Sequence, residues 1–405
     1  MLNLLLDFLP FQKGGGVGGA ASFTKTITDE VLRRCGDTTK LFAAYDSTLS
    51  VGRQYDYTEI AGRNRITLLD IASKPLAELI SQHAIDTFFI AIGQQYAGYD
   101  LTGINCRTIM FIHDIFDVES SDNRIDLAIT DQHGESRWQH FKRITNLLTG
   151  RWEKRKQRVY GRIMPLFTAP NTLAYTVSDY TANALKYYFP DIAKDIRVCY
   201  SPLKENSRLV EVENKQLATL INSGKPYLLM IAANRIYKNA AILTKVFRRL
   251  QTEHPDLHLL TLKYGKRISD RHIDISYLSD SDLEHAYEHA HALVFGSFFE
   301  GFGYPPIEAA RYGTPTVASN VTSIPEILGD AGIYFSPFYP AGLYQALNQV
   351  LANRNCRADA ISRRYQEICE RQHKDLNELV SVILKEPTPA LPKREGETTH
   401  KLKHL

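Results

Sequence analysis

The stretch from Leu293 to Ser336 constrains the fold more than any other part of the chain, because apolar runs, glycines and two carboxylates alternate within it. The pattern predicts strand, loop, helix, strand, loop, short helix and strand. Pro305 and Pro306 fit the first turn of the first helix, whose N-terminus then offers unpaired N–H groups that favour an anion, commonly a phosphate. If Glu300 on the loop and Glu308 in the first helical turn project into one crevice, they offer two acceptors suited to sugar hydroxyls.

The chain is expected to contain two α/β units, because 405 residues are too many for one ordinary core. The run LNLLLDFL with its glycine loop opens the first unit, and KPYLLMIAA opens the second. We predict a first doubly wound domain over 1–200, a linker over 201–225 and a second domain over 226–386 that includes the terminal helices. The polar, proline-containing tail over 387–405 is expected to be disordered.

Composition excludes several classes of protein. The net charge of +3 is too small to indicate nucleic acid as the main partner. Five scattered cysteines without any CxxC argue against a disulfide framework or a cysteine zinc site, and they fit a reducing cytosol. No apolar stretch approaches the roughly 20 residues of a membrane-spanning helix. We therefore expect a cytoplasmic protein that is either soluble or peripheral at the inner face of the cytoplasmic membrane.

A possible dinucleotide fingerprint lies near the N-terminus. Gly14, Gly16 and Gly19 satisfy GxGxxG after the first strand, and Asp46 ends the next apolar run. The same glycines could instead permit a tight turn and close helix packing, or let the backbone approach a phosphate. An NAD-dependent oxidoreductase is therefore one function to weigh.

Charged side chains follow two other predicted strands. His113 and Asp114 come directly after RTIMFI, and Arg235 and Lys238 follow KPYLLMIAA. Strand ends of this kind point into the crevice of a doubly wound fold. The histidine could be a hydrogen-bonded turn residue or a functional group, and the two cations could hold a diphosphate or lie in a solvated loop.

A DxD sequence is formed by Asp280, Ser281 and Asp282. Such a motif binds a divalent metal in some transferases. Here we expect Ser281 and Asp282 to cap the helix LEHAYEHAHAL instead, so no metal site is predicted.

The segment 137–162 is basic and aromatic, with nine Lys or Arg residues against one acid, Glu153. It could be a solvated helix face that packs its aromatic side chains inward. It could also lie on an anionic membrane surface, which attracts basic residues while Trp and Tyr favour the interface. RNA binding is the third interpretation, and no recognised RNA module accompanies it.

The sequence FGSFFEGFGYPPIEAARYGTPTVASNVTSIPEILGDAGIYF closely resembles the signature of glycosyltransferase family 4, a set of retaining group 1 enzymes with the GT-B fold. Glu300 and Glu308 stand as the E-x7-E element of that family. GGVG, the HD pair, VSDYT and RIYKN occur upstream in the same order as in the family. The resemblance covers Leu4 to about Glu386; it is strong in the second half of the chain and loose in the first, particularly between Gly134 and Pro170. It implies two facing Rossmann-like domains, an acceptor-side first domain and a donor-binding second domain, with a cleft between them.

The resemblance also implies roles for the donor loop. Glu308 would bind the ribose hydroxyls, and Glu300 would face the transferred sugar. Backbone amides of Phe302 and Gly303 would contact sugar hydroxyls. Tyr304 stands in this loop where the family frequently has leucine.

The remaining implied roles concern the phosphates and the reacting carbon. Arg235 and Lys238 would neutralise the diphosphate, and His113 would lie beside the anomeric centre. Gly15 and Gly16 would let the backbone of the first domain approach the phosphates. In the family a larger residue commonly follows GGVG, whereas this chain continues with Gly19.

The resemblance implies retaining transfer of a sugar from a UDP- or GDP-linked donor to a saccharide or lipid-linked acceptor, without a metal or other cofactor. Bacterial cell-envelope polysaccharide or lipopolysaccharide synthesis is the expected setting. The alternatives are a non-catalytic nucleotide-sugar-binding protein of the same fold and, less favoured, the NAD-dependent oxidoreductase. The oxidoreductase assigns no role to Glu300, Glu308 or Lys238.

Overall fold

The computed structural model describes residues 1–12, 19–52, 55–122, 151–192, 195–203 and 210–386, together with residues 141, 145 and 149; for 120–122 and 151–156 only the backbone is described. Gly15 and Gly16 lie outside the described residues, as do most of the basic segment before residue 151 and the tail over 387–405. In the described part of the chain, no helix is both long and apolar enough to cross a membrane.

The first unit is built on a parallel sheet of seven strands in the order β3-β2-β1-β4-β5-β6-β7. In chain order, β1 to β7 are Leu2–Asp7, Thr39–Tyr45, Thr67–Asp70, Thr87–Ile90, Arg107–Ile112, Thr172–Thr176 and Arg197–Val198. Its described helices, α1 to α6, are Gly19–Arg34, Tyr57–Arg63, Leu76–Gln82, Phe116–Asp122, Arg151–Phe167 and Asp179–Tyr188. The strand order reverses between β1 and β4, which places a crevice at the carboxyl ends of these strands.

The second unit repeats this arrangement with six parallel strands in the order β10-β9-β8-β11-β12-β13. In chain order, β8 to β13 are Tyr227–Met230, His258–Leu262, His272–Ile275, Ala292–Phe295, Thr316–Ser319 and Ile333–Phe335. Helices α7 to α13 are Lys215–Asn222, Ala240–Glu253, Asp280–His289, Tyr304–Ala310, Ile324–Leu328, Pro340–Ala352 and Ala358–Leu384. Its own crevice lies where β8 and β11 are neighbours.

Apolar side chains on both faces of the strands explain why these runs form sheet interiors. In β1, Leu5 belongs to the core on one face, while Leu4 and Leu6 belong to the core on the other. The strands β4, β8, β11 and β12 are buried at every position. Parallel strands covered by helices on both faces have this continuous apolar character. The predicted α/β class with two doubly wound sheets is confirmed.

The last helix, α13, crosses from the second unit back to the first. Leu379 and Val380 are buried in the core that contains Leu4 and Leu6. The Gln372 amide donates to the carbonyl oxygen of Ser201 at 2.5 Å, and the Arg107 guanidinium donates to the carbonyl oxygen of Val382 at 2.6 Å. The sequence prediction assigned this terminal helix to the second domain. In the structure the helix also packs against the first sheet.

Candidate functional site

The centre of the candidate site is an ion pair between the loops that follow β8 and β11. Lys238 ends a single turn of 3-10 helix after β8, and Glu300 lies on the loop after β11. The Lys238 ammonium lies 2.5 Å from Oε1 of Glu300. Because β8 and β11 are hydrogen-bonded neighbours, their carboxyl ends bring the two loops together.

The ion pair is largely removed from solvent. Lys238 is only 7% exposed, and its ammonium lies 4.6 Å from the centre of the Phe295 ring. The Ser297 hydroxyl donates to the same Oε1 of Glu300 at 2.6 Å. Asn239 has a left-handed backbone with φ of 60° and donates from its amide to the Pro337 carbonyl, which fixes the turn that carries Lys238.

Hydrogen bonds to a neighbouring loop hold the backbone of the Glu300 loop. The Glu300 N–H donates to the Thr322 hydroxyl at 3.1 Å. The Ser323 hydroxyl lies within bonding distance of the carbonyl oxygens of Glu300, at 2.9 Å, and Phe302, at 3.2 Å. Thr322 and Ser323 thus position the loop that carries the first glutamate.

Glu308 lies on α10, which begins at Tyr304. Tyr287 on α9 donates its hydroxyl to Oε2 of Glu308 at 2.6 Å, and burial raises the pKa of this tyrosine. Gly303 precedes the helix with φ of 103°, a conformation that favours glycine. Phe302 is buried, and its ring centre lies 5.6 Å from that of Tyr304.

Arg235 is placed differently from Lys238. Its side chain is exposed, and one guanidinium nitrogen donates to the Tyr237 hydroxyl at 2.8 Å. The Tyr237 ring centre lies 5.3 Å from the Lys238 ammonium. The two cations therefore flank one tyrosine, with Lys238 inside the fold and Arg235 at its surface.

His113 follows β5 in the first unit and is held as a neutral imidazole. Its Nε2 lies 2.8 Å from the carbonyl oxygen of Ala91, so Nε2 carries the proton and Nδ1 carries the lone pair. The Phe23 ring stands edge-on with its centre 4.6 Å away. Burial lowers the pKa of His113 to about 4, because the charged form would lose its hydration.

The two units approach each other closely at Gly301. A Cβ atom at this position would lie only 2.3 Å from the carbonyl oxygen of His113. This approach brings Glu300 near Asp114, whose pKa is raised to about 6 by burial, with a smaller contribution from the Glu300 charge. The Phe116 ring completes the contact, 5.2 Å from the Phe299 ring. The structure thus brings His113, Glu300 and Lys238 to one region.

A second close approach couples Gly19 to Tyr304. A Cβ atom at Gly19, the first residue of α1, would lie 2.9 Å from Cδ2 of the tyrosine ring. The sequence presented these two residues as separate departures from the family pattern. In the structure they are one feature, because the ring occupies the space that a larger residue at 19 would need.

Glu326 joins the two units and was not predicted as a site residue. Its carboxylate accepts hydrogen bonds of 2.8 Å from the N–H groups of Asp179 and Tyr180 at the start of α6. It also accepts a 2.8 Å bond from the Tyr200 hydroxyl. The segments SIPEILGDAG and VSDYT both appeared in the family pattern, but their contact could not be read from either alone.

Residues of the DxD sequence form hydrogen bonds to backbone N–H groups. The expectation that Ser281 and Asp282 cap α9 is wrong, because Ser279 is the N-cap and accepts from the N–H of Asp282 at 3.1 Å. Asp282 is buried and accepts from the N–H groups of Glu213 and Asn214 at 2.9 and 3.2 Å. Its carboxylate therefore anchors the segment that leads into α7.

Asp46, the acid of the dinucleotide fingerprint, is also engaged locally. It is buried and accepts from the N–H of Thr48 at 2.8 Å and from the Tyr99 hydroxyl. Of the three glycines in that fingerprint, only Gly19 lies within the described residues. The geometry around Asp46 favours a structural role over ribose binding.

Residues 211–367 match the family model described as glycosyl transferases group 1. A 63-residue segment is 49% identical to O-antigen chain mannosyltransferase B of Escherichia coli, covering 16% of each chain. O-antigen chain mannosyltransferase RfbU of Salmonella typhimurium is 26% identical over 189 residues, 45% of this chain and 52% of that protein. The matches thus span between about a sixth and a half of these relatives' lengths.

Solved structures share the fold over nearly the whole chain. WaaG, a glycosyltransferase involved in lipopolysaccharide biosynthesis, superposes with a TM-score of 0.62 at 12% identity, covering 95% of this chain and 99% of that one. Anabaena Alr3699/HepE in complex with UDP and glucose gives 0.60 at 14% identity, covering 96% and 100%. The chain therefore has the GT-B fold, and its residues 211–367 are similar to the group 1 glycosyltransferases.

Proposed function

We propose that this chain transfers a sugar from a nucleotide-sugar donor to a saccharide or lipid-linked saccharide acceptor. The observation that carries the proposal is the ion pair between the buried Lys238 and the half-buried Glu300. This pair lies at the switch point of the second sheet and next to His113 of the first. A cation and a carboxylate in one crevice suit the two ends of a sugar diphosphate. The match of residues 211–367 to the group 1 glycosyltransferase model supports the same assignment.

The donor is assigned to the second unit. Glu308, already an acceptor for the Tyr287 hydroxyl, would bind the ribose hydroxyls. Glu300 would accept from hydroxyls of the sugar, assisted by the backbone amides of Phe302 and Gly303. In the first unit, Gly15 and Gly16 would let the backbone approach the phosphates.

Lys238 and Arg235 would hold the charge that develops on the diphosphate. A lysine ammonium has three N–H donors; Glu300 occupies one, and we assign the others to phosphate oxygens. The pair with Glu300 holds Lys238 in a fixed position, so little reorganisation is needed during the reaction. We assign no metal or other cofactor to the step, because these cations supply the charge stabilisation.

The reaction is proposed to retain the anomeric configuration. The bond between the anomeric carbon and the phosphate oxygen breaks, and the acceptor oxygen bonds to the carbon on the same face. The acceptor's proton passes to the departing phosphate. His113 is neutral at pH 7, so it would accept a hydrogen bond from the sugar through Nδ1 rather than act as a charged acid.

The names of the similar proteins favour one donor sugar. Proteins similar to segments of this chain are named O-antigen mannosyltransferases, which favours a nucleotide-linked mannose and a cell-envelope polysaccharide product. The Anabaena protein of the same fold is described with UDP and glucose, so UDP- and GDP-linked sugars both stay in the proposal.

A membrane-associated acceptor is also proposed, with the protein in the cytoplasm at the inner face of the membrane. In the described part of α5, Tyr160 packs in the core while Arg158 and Arg162 are exposed, so this helix presents basic residues outward. Neutralising Lys154, Arg155 and Lys156 should reduce co-sedimentation with anionic liposomes. Unchanged co-sedimentation would argue against this part of the proposal.

The proposed donor site is tested by a thermal-shift panel of UDP, GDP and their sugar conjugates. A donor at 100 times its dissociation constant should stabilise the protein by about 2.7 kcal/mol. We expect a shift with one nucleotide class that is lost in Glu308→Ala and Lys238→Met and kept in Lys245→Met, which changes an exposed lysine on α8.

No shift with any sugar nucleotide would contradict the proposal. Donor binding without hydrolysis or transfer would favour the non-catalytic alternative. A fluorescence change on titration with a reduced nicotinamide cofactor would favour the oxidoreductase.

A further inference from the structure

Three potential metal ligands share the outer face of α9, on the helix that carries Tyr287. His285, Glu288 and His289 occupy positions i, i+3 and i+4, which place side chains next to each other on a helix. One ligand atom from each residue lies within 4.8 Å of the others. None of the roles assigned to the sugar-transfer site uses these residues.

The tautomer of His285 leaves a buried lone pair in this cluster. Its Nε2 lies 2.7 Å from the carbonyl oxygen of Val210, so Nε2 carries the proton and Nδ1 carries the lone pair. Nδ1 is inaccessible to solvent and has no hydrogen-bond partner among the described residues. It faces Oε2 of Glu288 at 3.5 Å. A metal ion between these two electron-rich atoms would accept a lone pair from each of them.

The spacing of the ligand atoms fits a metal ion. Ligands bound to tetrahedral zinc at about 2.0–2.1 Å lie about 3.4 Å apart. Oε2 of Glu288 lies 3.5 Å from Nδ1 of His285 and 3.7 Å from Nδ1 of His289. The bond from the other ring nitrogen of His285 to a backbone carbonyl is the support that metal-binding histidines usually have.

We infer that His285, Glu288 and His289 form a binding site for a zinc-class transition-metal ion, with water as a further ligand. Two imidazoles and one carboxylate favour zinc, nickel or copper over magnesium or calcium. The side chains of Glu288 and His289 are 42% and 41% exposed, so an ion can reach them from solvent. This metal site is separate from the proposed sugar-transfer site, and metal binding would be a property additional to the proposed reaction.

Occupancy of this site would fix the orientation of α9. His285 holds Val210, in the segment before α7, and Tyr287 on the same helix holds Glu308. A metal ion would therefore hold the helix that supports both. Nδ1 of His289, which lies 3.1 Å from the His285 carbonyl, would exchange this contact for the ion.

The test is zinc titration of the full chain, prepared without a histidine tag and stripped with a chelator, against a chromophoric zinc indicator. We expect one zinc per chain in the wild type, and binding weaker by at least about tenfold in His289→Ala and in Glu288→Gln. His373→Ala is the matched control, since His373 is an exposed helical histidine whose Nδ1 also contacts the carbonyl four residues earlier. This control should bind zinc as the wild type does. Cobalt in place of zinc should give the visible absorption of a tetrahedral ion.

The inference is overturned if the wild type takes up no zinc. It is also overturned if His289→Ala and His373→Ala bind zinc equally. Because metal binding itself is measured, neither result depends on whether the chain transfers a sugar.

Discussion

Replacing Gly301 with alanine should force the two units apart at the site without disturbing either core. The added Cβ would lie 2.3 Å from the carbonyl oxygen of His113, whereas Cβ atoms essentially never come closer than 3.0 Å to a neighbour, so the backbones must separate by about 0.7 Å. The backbone of Gly301 lies outside the left-handed region, so alanine adds no conformational strain of its own. The perturbation is therefore confined to the approach of the Glu300 loop to the first unit.

The expected consequence is a loss of turnover rather than of folding. A misplacement of about 1 Å between reacting groups can lower a rate about a hundredfold, so Gly301→Ala should reduce the transfer rate between about tenfold and about a hundredfold. The assay is nucleoside diphosphate release with donor and acceptor present, alongside circular dichroism and thermal unfolding. Gly62→Ala on α2 is the matched control, because nothing lies within 4 Å of the added Cβ. Wild-type turnover in a folded Gly301→Ala protein would contradict the dependence of sugar transfer on the close approach of Gly301 to His113.

Three further predictions address other contacts. Gly19→Ala should lower turnover, because the added Cβ meets the Tyr304 ring. Adding Tyr304→Leu in a double variant should restore turnover, and additive losses would contradict this coupling. Lowering the pH from about 6.5 to about 4 should destabilise the wild type more than His113→Gln, because His113 binds a proton in the unfolded chain but not in the folded one. Parallel profiles of melting temperature against pH for the two proteins would contradict this prediction. Glu326→Ala should cost about 1–2 kcal/mol of stability in thermal unfolding through the lost cap of α6, and Glu326→Gln less; an unchanged melting temperature would exclude that role.

Local sequence pattern was sufficient to predict the strands of the two sheets and which loops lie together at the edge of each sheet. Short apolar runs such as YLLM and ALVF could be read as buried strands, and residues following them had to lie at one edge of the sheet. The meeting of Lys238 with the loop of Glu300 follows from that rule. The rule could not predict that the Lys238 and Glu300 side chains form an ion pair with each other.

Contacts between distant segments carried no local signal. Glu326 and the start of α6 are far apart in sequence, and only the assembled units show that one carboxylate caps the helix of the other. The return of α13 to the first sheet is similar, because its apolar residues could have packed on either unit. Ser279 was missed as the cap of α9 because three neighbouring residues, Asp280, Ser281 and Asp282, are also good caps by type.

The most direct test of the account is the rate of sugar transfer from a nucleotide-linked donor by wild type, Lys238→Met and Lys245→Met. If the buried Lys238 stabilises the departing diphosphate, its loss should lower the rate by about 10²–10³. The exposed Lys245 should be dispensable. Equal transfer by all three proteins, or no transfer by the wild type with any mannose or glucose nucleotide and suitable acceptor, would contradict the assignment of this crevice as a glycosyltransferase site.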